Sequence, residues 1–384
     1  MAIAVFLERA IVSGYGHSDF FVFYEAMRFY FSGQDIYSSY IINNGAGYIR
    51  EAGNLNAPFL TLLLLPFNSF NYAQSFQVWS VILTGCLIGG GYLALRPFPQ
   101  WHKNTVPILL LFLLFFPNIQ TLVYGQISPV LFLFVTLAWL FCGLFLIYFL
   151  CLKRFRVVAV SCLTFLGTSL LAWFVFGTKA YISYYQSMKG IFWYAGTWNV
   201  SFHGFFMRLF SNEEHNVPFM VSPHLASIFT LGCSAILMAY LIRSWLKAGP
   251  QQFDRGFSLV IVSMLLLSPL SWIYYFPLLL IPYLVLVSEK NDWLHLIAFS
   301  LLFLSMKIPL LVLASGIKTA SQIFWTGGVG FYVLLGLLIL LAKPYSEYRQ
   351  FAPRLWGVVY ALIFLQPIMV LTIVFFSLTF GHRL

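Results

Sequence analysis

Apolar runs of roughly 17 to 25 residues, parted by short polar and basic stretches, repeat along most of this chain. That length carries a helix across about 30 Å of hydrocarbon, and no stretch shows the short alternation of a membrane β-barrel. Lipid offers no hydrogen-bond partner, so each such run must satisfy its backbone internally, as a helix. The pattern predicts an all-α, polytopic transmembrane bundle of about 10–12 helices, a single integral membrane domain over residues 1–384.

The firmest spans are 73–95, 106–123, 130–152, 157–177, 223–243, 325–342 and 355–378, with 57–70 and 293–315 weaker. The run from Gly256 to Val287 exceeds one span and holds Ser268-Pro269-Leu270-Ser271-Trp272, so Pro269 and Pro277 predict two short helices meeting at a break. Residues 2–16 carry Glu8 and Arg9 inside an apolar run and read as a short first helix or an interfacial one, not a cleaved leader. The 58–95 region breaks the alternation of sides and reads as holding a re-entrant helix.

Composition narrows the class. With 61% hydrophobic and 8% charged residues and a mean hydropathy of +0.87, polar surface is too scarce to cover a water-soluble globule of 384 residues. The net charge of +10 would fit a nucleic-acid binder, but the cations fall in short loops: Arg96 and Lys103; Lys153, Arg154 and Arg156; Arg243, Lys247 and Arg255; Lys290; Lys343, Arg349 and Arg354. That distribution is the positive-inside signature of cytoplasmic loops, so the expected partners are membrane lipids and no nucleic acid. The outer face then receives two long aromatic loops, about 17–56 and 178–222, and the Trp272–Tyr275 corner. Phe20 to Phe31 predict a helix lying at the headgroup level. Cys86, Cys142, Cys151, Cys162 and Cys233 form no C-x-x-C pair, so neither a disulfide framework nor a metal site is expected.

The candidate chemistry lies in those outer segments. Asp19 opens an aromatic segment where it serves equally as a helix cap or as a carboxylate at a membrane surface. Asp35 reads as a turn acid. In Trp198-Asn199-Val200-Ser201-Phe202-His203-Gly204-Phe205-Phe206-Met207-Arg208, polar groups interleave with rings; the bland reading is a snorkelling Arg208 with Asn199 or Ser201 as a cap and His203 packed at the interface. Tyr124-Gly125-Gln126 alone is a turn. Lys307 in an apolar stretch either faces an anionic group or ends its helix. The chain has no D-x-D, P-loop, G-x-S-x-G or H-E-x-x-H, and a lipid-linked substrate fits it best.

Taken in order, these patches resemble glycosyltransferase family 87, GT-C enzymes of the polyprenyl-phosphate-mannose type. The resemblance rests on Asp19-Phe20-Phe21-Val22-Phe23-Tyr24-Glu25-Ala26 with Gly33-Gln34-Asp35-Ile36-Tyr37, on Asn56-Ala57-Pro58-Phe59 to Pro66, on Gly125-Gln126, on Asn199 to Leu209, and on Ser268 to Trp272. It implies a GT-C-like fold that transfers a hexose, typically mannose, from a polyprenyl-phosphate carrier to a lipid or glycan acceptor at the outer face, inverting and without metal or other cofactor. Asp19 maps onto the catalytic base. Arg208, Asn199, Ser201, Gln126, His203, Tyr274, Tyr275 and Lys189, with Lys179 beside them, are the residues expected at the donor phosphate and sugar. The expected location is a bacterial inner (plasma) membrane, active site facing the periplasm or exterior. The chain departs from the family in placing Tyr274 and Tyr275 where histidines are usual, and in lacking a K-x-x-P-like stretch before Lys153. The rival readings are a lipid or solute transporter, weakened by scarce midplane charge and the want of an internal repeat, and a catalytically impaired scaffold.

Overall fold

The computed structural model describes residues 19–43, 49–136, 143–191, 193–213, 216–247, 253–288, 297, 301, 324 and 327–342. Lys307, the first segment 2–16, the span expected at 355–378 and all of that expected at 293–315 except residues 297 and 301 lie outside the described residues.

The described chain is helical, as its apolar runs require. Its helices are α1 (Asp19–Phe31), α2 (Pro58–Leu64), α3 (Tyr72–Leu95), α4 (Thr105–Leu113), α5 (Phe116–Tyr124), α6 (Ser128–Thr136), α7 (Gly143–Cys151), α8 (Phe155–Lys189), α9 (Phe202–Phe210), α10 (Pro223–Lys247), α11 (Phe253–Leu267), α12 (Leu280–Ser288) and α13 (Val329–Ala342). One small antiparallel hairpin, β1 (Tyr40–Asn43) with β2 (Ile49–Ala52), sets Tyr40 opposite Ala52. Among the described residues α3, α8 and α10 are long and apolar enough to cross a membrane, and α4 with α5 makes a fourth if that bent pair is one span. The chain is an integral membrane protein.

Two expected spans take a different form. The stretch 106–123 is broken between α4 and α5, whose axes bend by 57°. Pro117 has no N–H to return to the Leu113 carbonyl, so the first helix stops at Leu113. The buried Asn118 side chain donates to the Phe112 carbonyl at 2.5 Å and satisfies one of the groups the break frees. The run 157–177 continues as helix to Lys189, so the second expected loop begins with three helical turns. Gly177 interrupts it at φ 74° and ψ 179°, a conformation nearly confined to glycine. Tyr181 Oη reaches back across the break to the Ser169 carbonyl at 2.7 Å, and Trp173 Nε1 donates to Thr178 Oγ1 at 3.0 Å. Residues 137–142 of the expected span 130–152 lie outside the described residues, and α6 and α7 are its ends.

The run from Gly256 divides as its prolines predict: α11, a turn through Pro269, a 3-10 segment Ile273–Leu279 holding Pro277, and then α12. α11 is enclosed from Ser258 to Ser263 and packs on α13, while α3 packs on α6, α9 on α10 and α2 on α8. The main core joins Phe20, Met27, Leu83, Leu87, Phe132, Phe145, Leu241, Trp245, Phe276 and Leu334. A second cluster of Ala26, Ile36, Tyr37 and Ala180 seats the loop after α1 against α8 beyond Gly177. By contrast Val160, Leu163, Phe165 and Phe174 of α8 are exposed, as suits a helix wetted by lipid.

Candidate active site

Asp19 stands at the first residue of α1, and its neighbour Phe20 locks it in place. The Phe20 ring is buried among Phe67, Tyr72, Phe76 and Trp79, with centroids 5.6 to 6.3 Å away. Trp79 Nε1 in turn donates to the Gly125 carbonyl at 2.8 Å, tying the aromatic nest to the end of α5. There Gly125 takes φ 67°, the Gly125 N–H returns to the Leu122 carbonyl and the Gln126 N–H to the Thr121 carbonyl, a Schellman stop. The stop aims the Gln126 side chain at α1, where its Nε2 donates to Asp19 Oδ2.

Two phenols complete this cluster. Tyr124 and Tyr274 both feel the Asp19 charge, and their rings lie 5.5 Å apart. Thr121 Oγ1 donates to the Tyr274 carbonyl at 3.2 Å, which fixes the corner after Trp272 against α5. Gln126, 107 positions along the chain, thus bonds the Asp19 carboxylate, and Tyr274, 255 positions along, feels its charge. Tyr124 was not among the residues singled out from the sequence, although its place beside Gly125-Gln126 was a signal.

The packing also makes a prediction. A Cβ at Gly125 would stand 2.6 Å from Phe20 Cβ, in a left-handed conformation that itself disfavours L side chains. Gly125→Ala is expected to destabilise by about 2–4 kcal/mol, read as a lowered melting temperature of the purified protein. An unchanged melting temperature would show that the α5 stop does not set the position of α1.

The second patch is built around Asn199. Val200 N donates to Ser271 O at 2.7 Å and Ile273 N to Trp198 O at 3.0 Å, so Asn199 and Trp272 pair as a short antiparallel bridge. Asn199 has no exposure; its Nδ2 donates to the Tyr194 and Pro269 carbonyls, and its Oδ1 accepts from Ser271 N and Ser201 Oγ. Ser201 caps α9, accepting from Gly204 N at 2.9 Å. Every polar atom of these two side chains has an internal partner.

Arg208 does not snorkel. It is 1% exposed, and Nη1 alone donates, to the Gly196 and Asn199 carbonyls at 2.7 Å each. Its Nε and Nη2 are buried without a hydrogen-bond partner, and burial pulls the group down to about 10, still protonated at neutral pH. The nearby titratable group is Tyr332. A buried guanidinium with open N–H groups is an unfinished anion site by its chemistry.

The remaining expected residues are dispersed. His203 is half-buried, edge-on to Tyr194 at 4.7 Å, and burial lowers its pKa, favouring neutral imidazole. Lys189 is exposed over the Tyr185 ring at 4.4 Å, and Tyr275 packs against the main core. Asp35 forms the expected turn, accepting from Tyr37 N at 3.0 Å, and also takes Ser183 Oγ at 2.7 Å and lies 3.9 Å from Lys179 Nζ. Among the described residues no three His, Cys, Asp or Glu side chains gather as a metal site. Glu213 had not been singled out; it accepts from Ala195 N at 2.7 Å, and burial raises its carboxyl. Its signal was scarcity, an acid between apolar runs in a chain with 11 acids in all.

A helical membrane protein with one carboxylate held among an amide and two phenols fits the class of transferases that work on substrates at a bilayer. Compared with family models, the chain matches glycosyltransferase family 87 over residues 54–143 and 140–269, together more than half its length. It belongs to that family and is a glycosyltransferase. The matched region contains Gln126, Asn199, Ser201 and Arg208, and begins after Asp19. Comparison with curated proteins and with solved structures found no match.

Proposed function

We propose that this glycosyltransferase moves a hexose, mannose in the first instance, from a polyprenyl-phosphate donor to a hydroxyl of a lipid or glycan acceptor at the outer face of a bacterial inner membrane. The observation that supports it is the Asp19 carboxylate fixed by the Phe20 nest, with the Gln126 amide against it and Tyr124 and Tyr274 beside it. Asp19 takes the proton of the acceptor hydroxyl as its oxygen attacks the anomeric carbon. The carbon–oxygen bond to phosphate breaks, and its electron pair leaves with the polyprenyl phosphate. That group departs ionised, so the step asks for a base and not an acid, and a single displacement inverts the sugar.

Arg208 is the phosphate ligand of this proposal, because Nε and Nη2 have the parallel geometry that phosphate oxygens match and no internal partner. Gln126 and Tyr274 hold sugar hydroxyls. Asn199 and Ser201, whose polar atoms are all bonded within the chain, hold the turn that carries the Arg208 contacts, and His203, Tyr275 and Lys189 are given no step in this reaction. No step requires a metal.

The test is transfer by purified protein in proteoliposomes with a chelator present. Radiolabelled mannose supplied on polyprenyl phosphate should enter an acceptor fraction with inverted configuration, and nucleotide-linked mannose should not substitute for it. A glucosyl donor used equally well would correct the sugar alone. Transfer from the nucleotide donor with the lipid donor inert would overturn the proposal.

A further inference from the structure

The turn Tyr194–Trp198 is held more tightly than its exposure requires. Arg208 Nη1 and Asn199 N both donate to the Gly196 carbonyl, Asn199 Nδ2 donates to Tyr194 O, and Glu213 Oε2 accepts from Ala195 N. Four interactions from three elements thus pin three consecutive residues. What the turn displays is an indole. Trp198 is 38% exposed, yet it lies against Gly196 so closely that a Cβ there would meet Cε2 at 2.6 Å and Nε1 at 2.9 Å. Glycine at 196 is what lets the ring settle on the turn.

Polar groups gather on the same floor. The Glu213 carboxylate sits at Ala195, one residue from the Gly196 backbone that bears the indole. Tyr194 feels the Glu213 charge, and His203 stands edge-on to the Tyr194 ring. A partly exposed ring on a pinned turn that also carries a carboxylate and a phenol suits a ligand with an apolar C–H face and hydroxyls around its rim, which is the surface of a pyranose. A lipid anchor would need the indole but would gain nothing from an ionisable carboxylate one residue away.

We infer that Trp198, Glu213 and Tyr194 form a saccharide subsite that holds a sugar of the acceptor. The indole takes the C–H face of the ring, and Glu213 accepts from its hydroxyls. The Asn199–Trp272 bridge ties this turn to the corner that carries Tyr274, whose ring lies 6.0 Å from that of Trp272. The role in transfer rests on the proposed function, whereas saccharide binding at the subsite can be read without any donor.

The experiment is saturation-transfer difference NMR on the full chain in nanodiscs, with α-1,6-mannobiose, maltose and lactose as probes. At least one should bind, with saturation strongest on ring C–H protons. Trp198→Ala should weaken that binding by about tenfold or more, Trp198→Phe by no more than about threefold, and Glu213→Gln by about fivefold. Absence of binding by all three probes, or Trp198→Ala binding as wild type, overturns the inference. The melting temperature of Trp198→Phe keeps loss of folding apart from loss of the platform. Transfer that survives Trp198→Ala with no change in acceptor KM would remove this subsite and leave the proposed reaction standing. Probe binding by a protein that transfers from no lipid donor would uphold the subsite and remove the donor.

Discussion

Asp19→Asn is expected to lower sugar transfer by about 10³-fold while the protein melts within a few degrees of wild type. The two side chains are nearly the same size, so the Phe20 nest, the α5 stop and the Gln126 contact are kept. What is lost is the capacity to take a proton at neutral pH, because an amide oxygen accepts a hydrogen bond but is not a base there. Gln126 donates to one carboxylate oxygen of Asp19 and so holds the group where the nest has set it. The measurement is the initial rate with saturating polyprenyl-phosphate-mannose, alongside thermal unfolding. Full activity in Asp19→Asn would place the base elsewhere and return Asp19 to the part of a residue that starts a helix.

The second large effect is on stability. Asn199→Ala is expected to cost about 4 kcal/mol, because the side chain removed is a hub and not a spoke. Its loss leaves the Tyr194 and Pro269 carbonyls without the Nδ2 donor and Ser271 N without the Oδ1 acceptor, all in a buried setting that water cannot easily repair. Each group stranded in this way costs about 1–3 kcal/mol, so partial relaxation still leaves a large sum. The same change leaves the Tyr194–Trp198 turn joined to the Ser268–Tyr275 corner by backbone bonds alone, and transfer should fall with it. Asn199→Asp is the informative partner: it keeps the acceptors, loses both donors and brings a charge towards two carbonyls, so it should melt no higher than the alanine variant. A melting temperature for Asn199→Ala within about one degree of wild type would mean that the corner is held by other contacts.

Much of this was legible in the chain. Span lengths reported the helices because hydrocarbon thickness sets a nearly fixed number of residues per crossing, and Pro269 with Pro277 announced the break in the run after Gly256. The ordered patches resembled family 87, and the match over residues 54–143 and 140–269 bears out the family while leaving the Asp19 stretch outside it. The bend at Pro117 could have been read from the same rule that read Pro269, but an unbroken apolar run masked it. The extension of α8 past Gly177 was harder: hydropathy falls at the membrane border while helix continues, since tyrosines and lysines sustain a helix at an interface as well as apolar residues do inside it.

What the sequence by itself determined is the kind of molecule: a helical membrane protein of few charges, whose unusual polar residues gather in two long loops and one proline corner. Only the tertiary structure decided which of those residues meet. Gln126 reaches Asp19 because a left-handed glycine turns it there, Tyr274 is brought near by the segment that packs on α5, and Asn199 and Arg208 are drawn inward to hold a turn. Periodicity reports which face of a helix is apolar, which is a local property. A hydrogen bond across more than a hundred residues depends on where whole helices come to rest, and that is settled by packing, which no single segment encodes.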